Sequence, residues 1–247
     1  MSFSDEEYAL RCDLAAVFRA MARLGMAEQI AGHNSVKVPE SISGPEPMFL
    51  INARGYHFSE ITASNLLLCR QDGTVVRGDG ELRKVAFHIH AGIHVHNPSA
   101  VCVLHTHPHY LTALSLIEGG RMPFAHQNDM FLNSRIAYDD DYQGFALSDE
   151  EGKRVAGILG EKTILVMGSH GVTVVGPSIA DAFDELYFAE RTSMYHFTAL
   201  STGQKLRTLS ADLDMQHNGP WSDYFDARLH LDSWRRILDK TEPDYKD

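Results

Sequence analysis

The chain has ordinary length and composition for a globular protein, and its charge is strongly negative. It has 247 residues, of which 44% are hydrophobic and 22% charged, with a formal net charge of −11 at pH 7. This balance predicts a soluble domain with an ample core and argues against nucleic acid or an anionic membrane as a partner. The acidic N-terminus, the lack of a membrane-length apolar run and three unclustered cysteines together predict a cytoplasmic protein with reduced thiols.

Hydrophobic periodicity predicts helices and short strands that are mixed along the whole chain. An amphipathic helix is expected over residues 5–31, with Ser4 as its N-cap and Gly32 at its end. The further predicted elements are, in chain order, strands over 35–38 and 48–51, an edge strand over 74–76, a helix over 82–97, a strand over 101–107, helices over 111–116 and 149–159, strands over 163–167 and 172–175, a helix over 178–201, a polar irregular segment over 204–224, and a last amphipathic helix around 229–238. One layered α/β domain is the simplest arrangement of these elements.

Three histidines stand where predicted strands end. His105 and His107 close an apolar run before Pro108, and side chains at i and i+2 of a strand share one face. His170 ends another apolar strand, between two glycines that allow sharp turns. The chain has 14 histidines, so a chance pair is one interpretation. The other is a metal site, because three neutral imidazoles with an open position are typical of catalytic zinc, iron or manganese.

The order of several short motifs is similar to the class II aldolase/adducin family. These motifs are residues 32–35, 49–55, 61–66, 90–98, 101–107 and 169–176, and the tail at 238–245 also resembles some bacterial members. The resemblance covers about residues 8–203, so that 204–247 is a C-terminal extension of a single domain over 1–247. It implies a three-layer α/β/α fold with a mostly antiparallel central sheet. It further implies a homotetramer with active sites near subunit interfaces.

The resemblance also implies which residues serve the site. His105, His107 and His170 would hold one divalent metal ion per subunit, with Zn, Mn and Fe as the candidates. His33 and Asn34 of the first motif, together with Gln127, would contact the substrate. His90 and His94 are assigned to packing and supporting hydrogen bonds.

Two departures from the family pattern bear on the reaction. Family aldolases carry a glutamate on the helix before the histidine strand, as metal ligand and as acid/base, and the matching position is Ala86. A methyl group neither binds metal nor moves a proton. The positions of the phosphate-binding hydroxyls include Lys84 and Arg54, which predicts a small carboxylate or phosphate substrate held by charge. The alternative interpretation is that both are solvated surface cations.

These departures favour decarboxylation of an aromatic, hydroxy or keto acid. A metal chelated by adjacent substrate oxygens stabilises an enolate, which decarboxylation and retro-aldol cleavage both generate. Retro-aldol cleavage needs a base for the departing hydroxyl proton, whereas decarboxylation needs only a later proton donor. His126 and His109 are the candidate donors, because imidazole titrates near neutrality.

Three other functions stay open from the sequence. The first is retro-aldol cleavage of a hydroxy-keto or sugar-like substrate. The second is a non-haem iron oxygenase, because three histidines without a carboxylate suit ferrous iron. The third is a non-enzymatic, adducin-like binding protein, against which the three retained histidines argue.

Overall fold

Helices and strands are mixed along the chain in the computed structural model, which describes residues 3–216 and 226–247. The helices are α1 (Asp5–Arg23), α2 (Glu40–Ser43), α3 (Lys84–His96), α4 (His109–Ser115), α5 (Asp129–Leu132), α6 (Asp149–Leu159), α7 (Ile179–Leu200), α8 (Asp212–Gln216) and α9 (Ala227–Thr241). The strands are β1 (His33–Lys37), β2 (Met48–Asn52), β3 (Leu66–Arg70), β4 (Val75–Arg77), β5 (Cys102–Thr106), β6 (Ile136–Asp139), β7 (Ile164–Met167) and β8 (Gly171–Gly176).

All eight of these strands form one sheet. Their order is β4-β3-β2-β1-β5-β8-β7-β6, which places β4 at the edge, as predicted. Neighbouring strands run antiparallel except β6 and β7, which are parallel. The sheet is therefore mixed and mostly antiparallel, as expected. Strand β5, which carries the histidine motif, lies near its middle and pairs with β1 and β8.

Apolar side chains cover both faces of the sheet, so the fold has three layers. On one face Leu104 and Val174 belong to a core cluster with residues of α1, α4, α7 and α9. On the other face Val103 and Val175 pack with residues of α3 and α6. Because successive strand residues point to opposite faces, each strand contributes to both clusters. Both helical layers therefore gain their stability from burial against the sheet.

Helices α3 and α6 approach each other closely at two glycines. A Cβ atom on Gly92 would lie 2.5 Å from the carbonyl carbon of Gly152, and a Cβ on Gly152 would overlap the His88 carbonyl. Only the absence of side chains permits this approach. His90 and His94 on α3 point towards the sheet. The close crossing of α3 and α6 therefore helps to fix the position of these two side chains between α3 and the sheet.

The first helix is shorter than predicted. It begins as expected, where the Glu7 amide donates to Ser4 Oγ at 3.2 Å. It ends at Arg23 rather than at Gly32, because Gly25 takes a φ of 71°, a left-handed conformation that glycine adopts readily. Residues 24–32 are consequently a loop that leads into β1.

The C-terminal part of the chain packs against the beginning. Tyr245 is fully buried, and its carbonyl accepts a hydrogen bond from the Ala63 amide at 2.9 Å. The predicted irregular segment 204–224 contains α8, and its residues from 217 onwards lie outside the described residues. In the part of the chain that the structure describes, no helix has both the length and the apolarity needed to cross a bilayer. The three cysteines are buried and unpaired, as predicted.

We expect the Gly152→Ala substitution to destabilise the protein, because its methyl group would overlap the His88 carbonyl of α3. Overpacking of this kind costs about 1–3 kcal/mol. Gly157→Ala is the matched control, since a methyl group on this glycine of the same helix would have no neighbouring atom within 4 Å. Alanine there favours the helix by roughly 0.5–1 kcal/mol. Urea unfolding measures both, and equal free energies of unfolding for the two variants would contradict the close crossing.

Candidate metal centre

Three histidine side chains converge at one end of the central strands. His105 is buried on β5, His107 follows the last residue of that strand, and His170 lies in the turn between β7 and β8. The ring centroid of His105 is 5.3 Å from that of His107 and 4.8 Å from that of His170, and the last two centroids are 5.0 Å apart. One nitrogen atom of each ring lies within 4.8 Å of the other two. The structure therefore brings together the three residues that the sequence singled out as metal ligands.

The turn that carries His170 depends on its small residues. Ser169 has a φ of 55°, an uncommon conformation for a residue with a side chain, and its amide donates to the Ser115 carbonyl at 2.9 Å. Gly171 lies directly against the His107 ring, where a Cβ atom would overlap the imidazole. The turn and the end of β5 are thus fitted to each other at the point where His107 and His170 meet.

Two of the imidazoles are oriented by hydrogen bonds to Nδ1. His105 Nδ1 lies 3.0 Å from Thr173 Oγ1, whose hydroxyl in turn donates to Met167 Sδ. His107 Nδ1 hydrogen-bonds to the Glu28 carboxylate. With Nδ1 engaged in each ring, Nε2 is left free to bind a cation.

The candidate centre contains a buried polar atom without a partner. His107 Nε2 is buried and has no hydrogen-bond partner among the described residues. Such an atom is costly unless something binds it. Three imidazoles, two of them with their outer nitrogens already engaged, fit the donor set of a divalent transition metal.

Burial also keeps two of the three imidazoles, those of His105 and His170, in the neutral form that metal binding requires. Desolvation, followed by the neighbouring imidazoles, holds the pKa of His105 well below its ordinary value. Desolvation and the nearby His107 lower the pKa of His170 to about 4. Both rings therefore present lone pairs at neutral pH.

A row of polar side chains extends from this centre into the layer between the sheet and α3. His33 stacks on His105, with ring centroids 4.6 Å apart, and its Nδ1 lies 2.7 Å from His90 Nε2. His90 Nδ1 lies 2.5 Å from Ser35 Oγ, which is 2.7 Å from His94 Nε2. His94 Nδ1 donates to the Ala100 carbonyl at 2.9 Å. All four side chains are buried, which places the His33 ring against His105 and His90 and His94 behind it. The substrate contact of His33 stays a prediction.

Asn34 lies on the opposite face of β1 from His33. Its amide group donates to Met21 Sδ of α1 at 3.4 Å, on the far side of the sheet. The structure therefore separates this side chain from the histidine centre, because adjacent strand residues point in opposite directions. Its predicted substrate contact has no support in this arrangement.

Arg83, just before α3, is a cation that acts on the His33 end of the row. The Arg83 guanidinium donates to the Ala31 carbonyl at 2.9 Å, and burial together with this charge lowers the pKa of His33 to about 3. Lys84 is exposed at the start of α3, and Arg54 is exposed with Nη1 3.6 Å from the Glu81 carboxylate. The roles of Lys84 and Arg54 in substrate binding stay predictions.

The two predicted proton donors lie on separate elements. His109 is exposed as the first residue of α4, two positions beyond His107. His126 is half-buried, its Nδ1 accepts from the Asn128 amide at 3.1 Å, and its own amide donates to the buried Asp129 carboxylate. Gln127 beside it is exposed. The catalytic role of His109 and His126 and the substrate contact of Gln127 stay predictions.

Three supporting residues are not evident from sequence reasoning. Glu28 falls inside the predicted first helix, and Thr173 falls inside a predicted apolar strand. Glu190 of α7 accepts the amide hydrogens of Tyr110 and Leu111 at 2.9 Å each, which anchors the start of α4 just after the histidine motif. Of these, only Thr173 has a local signal, as a polar residue in a buried strand.

Ala86 occupies an apolar environment. It is buried on the first turns of α3 and packs with Phe49, Ile51 and Leu67. The α3 segment, Lys84–His96, contains no acidic residue. No carboxylate therefore comes to the histidine centre from this helix, whereas Glu28 approaches from the loop before β1.

Both the sequence and the fold are similar to those of known proteins. Residues 12–197 match the family model described as the Class II Aldolase and Adducin N-terminal domain. The "Putative aldolase class 2 protein" of Caulobacter vibrioides is 35% identical over 202 residues, which are 81% of this chain and 76% of the relative. The crystal structure of an aldolase II superfamily protein from Pseudomonas syringae is similar with a TM-score of 0.88 and 31% identity, covering 99% of this chain and 98% of the other. The L-fuculose 1-phosphate aldolase of Glaciozyma antarctica shares the fold, with a TM-score of 0.83 at 22% identity, covering 100% and 96%.

We expect Glu28→Gln to weaken metal binding. The amide oxygen can still accept from His107 Nδ1, but it lacks the charge that makes the imidazole a better ligand. Loss of such a partner typically costs 10–100-fold, so we expect about a 10-fold or greater fall in Zn²⁺ affinity. Competition with a chromophoric chelator measures this. Glu161→Gln, an exposed glutamate after α6, is the control, and equal affinities for the two variants would exclude an orienting role for Glu28.

Proposed function

Because the chain belongs to the class II aldolase/adducin family, we propose that it is a divalent-metal-dependent carbon–carbon lyase acting on a small carboxylic acid. The observation that carries the proposal is the convergence of His105, His107 and His170, with the buried Nε2 of His107 unpaired among the described residues. A purely structural role would not require an oriented set of imidazoles of this kind. A divalent ion bound there would act as a Lewis acid towards substrate oxygen atoms.

Decarboxylation is the reaction that the protein's own residues support best. In this reaction the bond between the carboxyl carbon and its neighbour breaks, the electron pair stays on the neighbour, and CO2 leaves. A proton must then be delivered to that carbon. A retro-aldol reaction needs in addition a base for the hydroxyl proton, and Ala86 stands where the family resemblance expects that glutamate.

A histidine would donate the proton to this carbon. His126 accepts a hydrogen bond at Nδ1, so in its neutral form the ring proton sits on Nε2. His109 lies two residues beyond His107 and is exposed at the start of α4. Imidazole is the side chain that most often transfers protons in catalysis, so both residues are candidates for this step.

The substrate carboxylate would be held by arginine. Arg83 is the cation whose charge acts on His33, and a guanidinium pairs with a carboxylate through two parallel hydrogen bonds. Lys84 follows it directly and Arg54 is a further exposed cation, so an incoming anion meets positive charge. A phosphate would be attracted by the same groups.

We also propose that the protein is a homotetramer with its sites near subunit interfaces. The Tyr142 ring lies 6.3 Å from the His170 ring, and nearby Phe145 and Leu147 are both largely exposed. Exposed apolar side chains grouped beside a site are typical of a surface that another subunit covers. Light scattering on the purified protein tests this: a monomer of 27.6 kDa at micromolar concentration would contradict it.

The lyase proposal is tested with the metal-loaded protein and a panel of aromatic, 2-hydroxy and 2-keto acids. We expect CO2 release from at least one acid, with a rate that falls about 100-fold or more in His107→Ala, because a Lewis acid contributes several kcal/mol. His96→Ala is the control, an exposed histidine on α3 that lies outside the centre.

Other products of the same panel would replace the proposal with an alternative. Aldehyde release from hydroxy-keto substrates would show retro-aldol cleavage. Tightly bound iron with substrate-dependent O2 uptake would show an oxygenase. No turnover of any kind, with metal bound more weakly than in the micromolar range, would favour a binding protein.

A further inference from the structure

Hydrogen bonds along the row His33–His90–Ser35–His94 have a direction that is fixed at one end. The Ala100 carbonyl can only accept, so His94 Nδ1 carries a proton and donates it at 2.9 Å. In a neutral imidazole the other nitrogen then has a lone pair. Since His94 Nε2 lies 2.7 Å from Ser35 Oγ, the serine hydroxyl must donate to it.

The same reasoning carries the direction to the other end of the row. Ser35 has one hydroxyl hydrogen, which is used, so its oxygen accepts from His90 Nδ1 at 2.5 Å. His90 Nε2 therefore has a lone pair and accepts from His33 Nδ1 at 2.7 Å. His33 is left with an unprotonated Nε2.

The rings are neutral because desolvation by burial outweighs the backbone carbonyl hydrogen bonds that would favour their charged form. His33, His90 and His94 are at most 4% exposed, and their hydrogen-bond partners in the described part of the chain include no carboxylate. Desolvation is the first cause that lowers the pKa of His94 to about 3, and it places the pKa of His90 well below its ordinary value.

The free end of the row lies at the metal centre. His33 pairs with His105 across β1 and β5, so both side chains point to the same face of the sheet. Their rings are stacked at 4.6 Å with planes 22° apart. Of the ring nitrogens in the row, Nε2 of His33 alone has no hydrogen-bond partner in the described residues, and it is not enclosed as His107 Nε2 is.

We propose that His33, His90, Ser35 and His94 form a polarised hydrogen-bond relay that presents the Nε2 lone pair of His33 as an acceptor for a hydroxyl group of the substrate. An acceptor-only nitrogen repels carboxylate and phosphate oxygens and attracts an O–H group. The substrate class is therefore a hydroxy acid, with its hydroxyl at His33 and its carboxylate towards Arg83. Ser35, His90 and His94 are positioning residues that act through His33. The choice of substrate rests on the proposed function, whereas the direction of the relay does not.

Neutron diffraction from crystals of the metal-free protein, exchanged into D2O near pH 7, tests the relay directly. We expect deuterium on Nδ1 of His33, His90 and His94, on Ser35 Oγ towards His94, and none on Nε2 of His33. Deuterium on Nε2 of His33, or on both nitrogens of any of these rings, would overturn the relay. This experiment needs no variant and no turnover, so its failure is distinct from a failure of the lyase proposal.

Ligand binding to the Co²⁺-loaded protein tests the hydroxyl acceptor. The probes are glycolate and methoxyacetate, which both carry a carboxylate with an oxygen on the adjacent carbon. In glycolate this oxygen is a hydroxyl that can donate a hydrogen bond, whereas in methoxyacetate it is an ether that cannot. The preference is the ratio of the glycolate affinity to the methoxyacetate affinity. We expect this ratio to be roughly tenfold higher for the wild type than for Ser35→Ala, a difference that corresponds to about one hydrogen bond. His96→Gln, on the helix that carries His90 and His94, should keep the wild-type preference. Visible absorption of the cobalt centre measures both affinities.

Two outcomes would overturn the acceptor role. One is the same preference in Ser35→Ala as in the wild type, and the other is no glycolate binding to a protein that has bound cobalt. Ser35→Thr retains a hydroxyl at this position and should restore part of the preference, which separates loss of the hydrogen bond from a general disturbance of β1.

Discussion

The register of the three central strands is the constraint on which the candidate site depends. His33 on β1 is paired with His105 on β5, and His105 is paired with Thr173 on β8. Paired residues share a face, so one ligand, its hydrogen-bond partner and the stacked His33 ring are placed together by main-chain pairing alone. A slip of one residue in either pairing would move the slipped strand's side chains to the opposite face. The strand register that buries the apolar residues of the sheet therefore also sets the geometry of the site.

Two periodicities meet in the layer between the sheet and α3. His90 and His94 are four positions apart on a helix, about one turn, and His33 and Ser35 are two positions apart on a strand. Each pair therefore has both side chains on one face, and the two pairs face each other. A polar row of this length is tolerated in a core only when its hydrogen bonds are complete. Within the row, each ring nitrogen except Nε2 of His33 has a partner among the described residues. The close approach of α3 and α6 at Gly92 and Gly152 helps to hold the helix in this position.

The sequence predicted the elements that alternate regularly, and it singled out the three histidines that the structure brings together because all three stand at predicted strand ends. It did not predict the approach of Glu28, because the periodic pattern of α1 extends to Gly32 and assigns the carboxylate to a helix. The left-handed turn at Gly25 ends that helix early and allows the following loop to bring Glu28 to His107. The sequence likewise does not distinguish Arg83 from Lys84, because spacing along the chain does not show which of two neighbouring cations is the less exposed. The hydrogen-bond row depends on strand register, which the sequence alone does not give.

Anomalous diffraction at the zinc edge, from a crystal of the Zn²⁺-loaded protein, tests whether the three imidazoles hold one divalent ion. We expect one strong anomalous peak per subunit, about 2.0–2.1 Å from the Nε2 atoms of His105 and His107 and from one nitrogen of His170. Thr173 and Glu28 should remain on the opposite nitrogens of the first two rings. A peak at another position, or no peak at zinc concentrations that saturate a catalytic site, would show that these three histidines do not form the metal site.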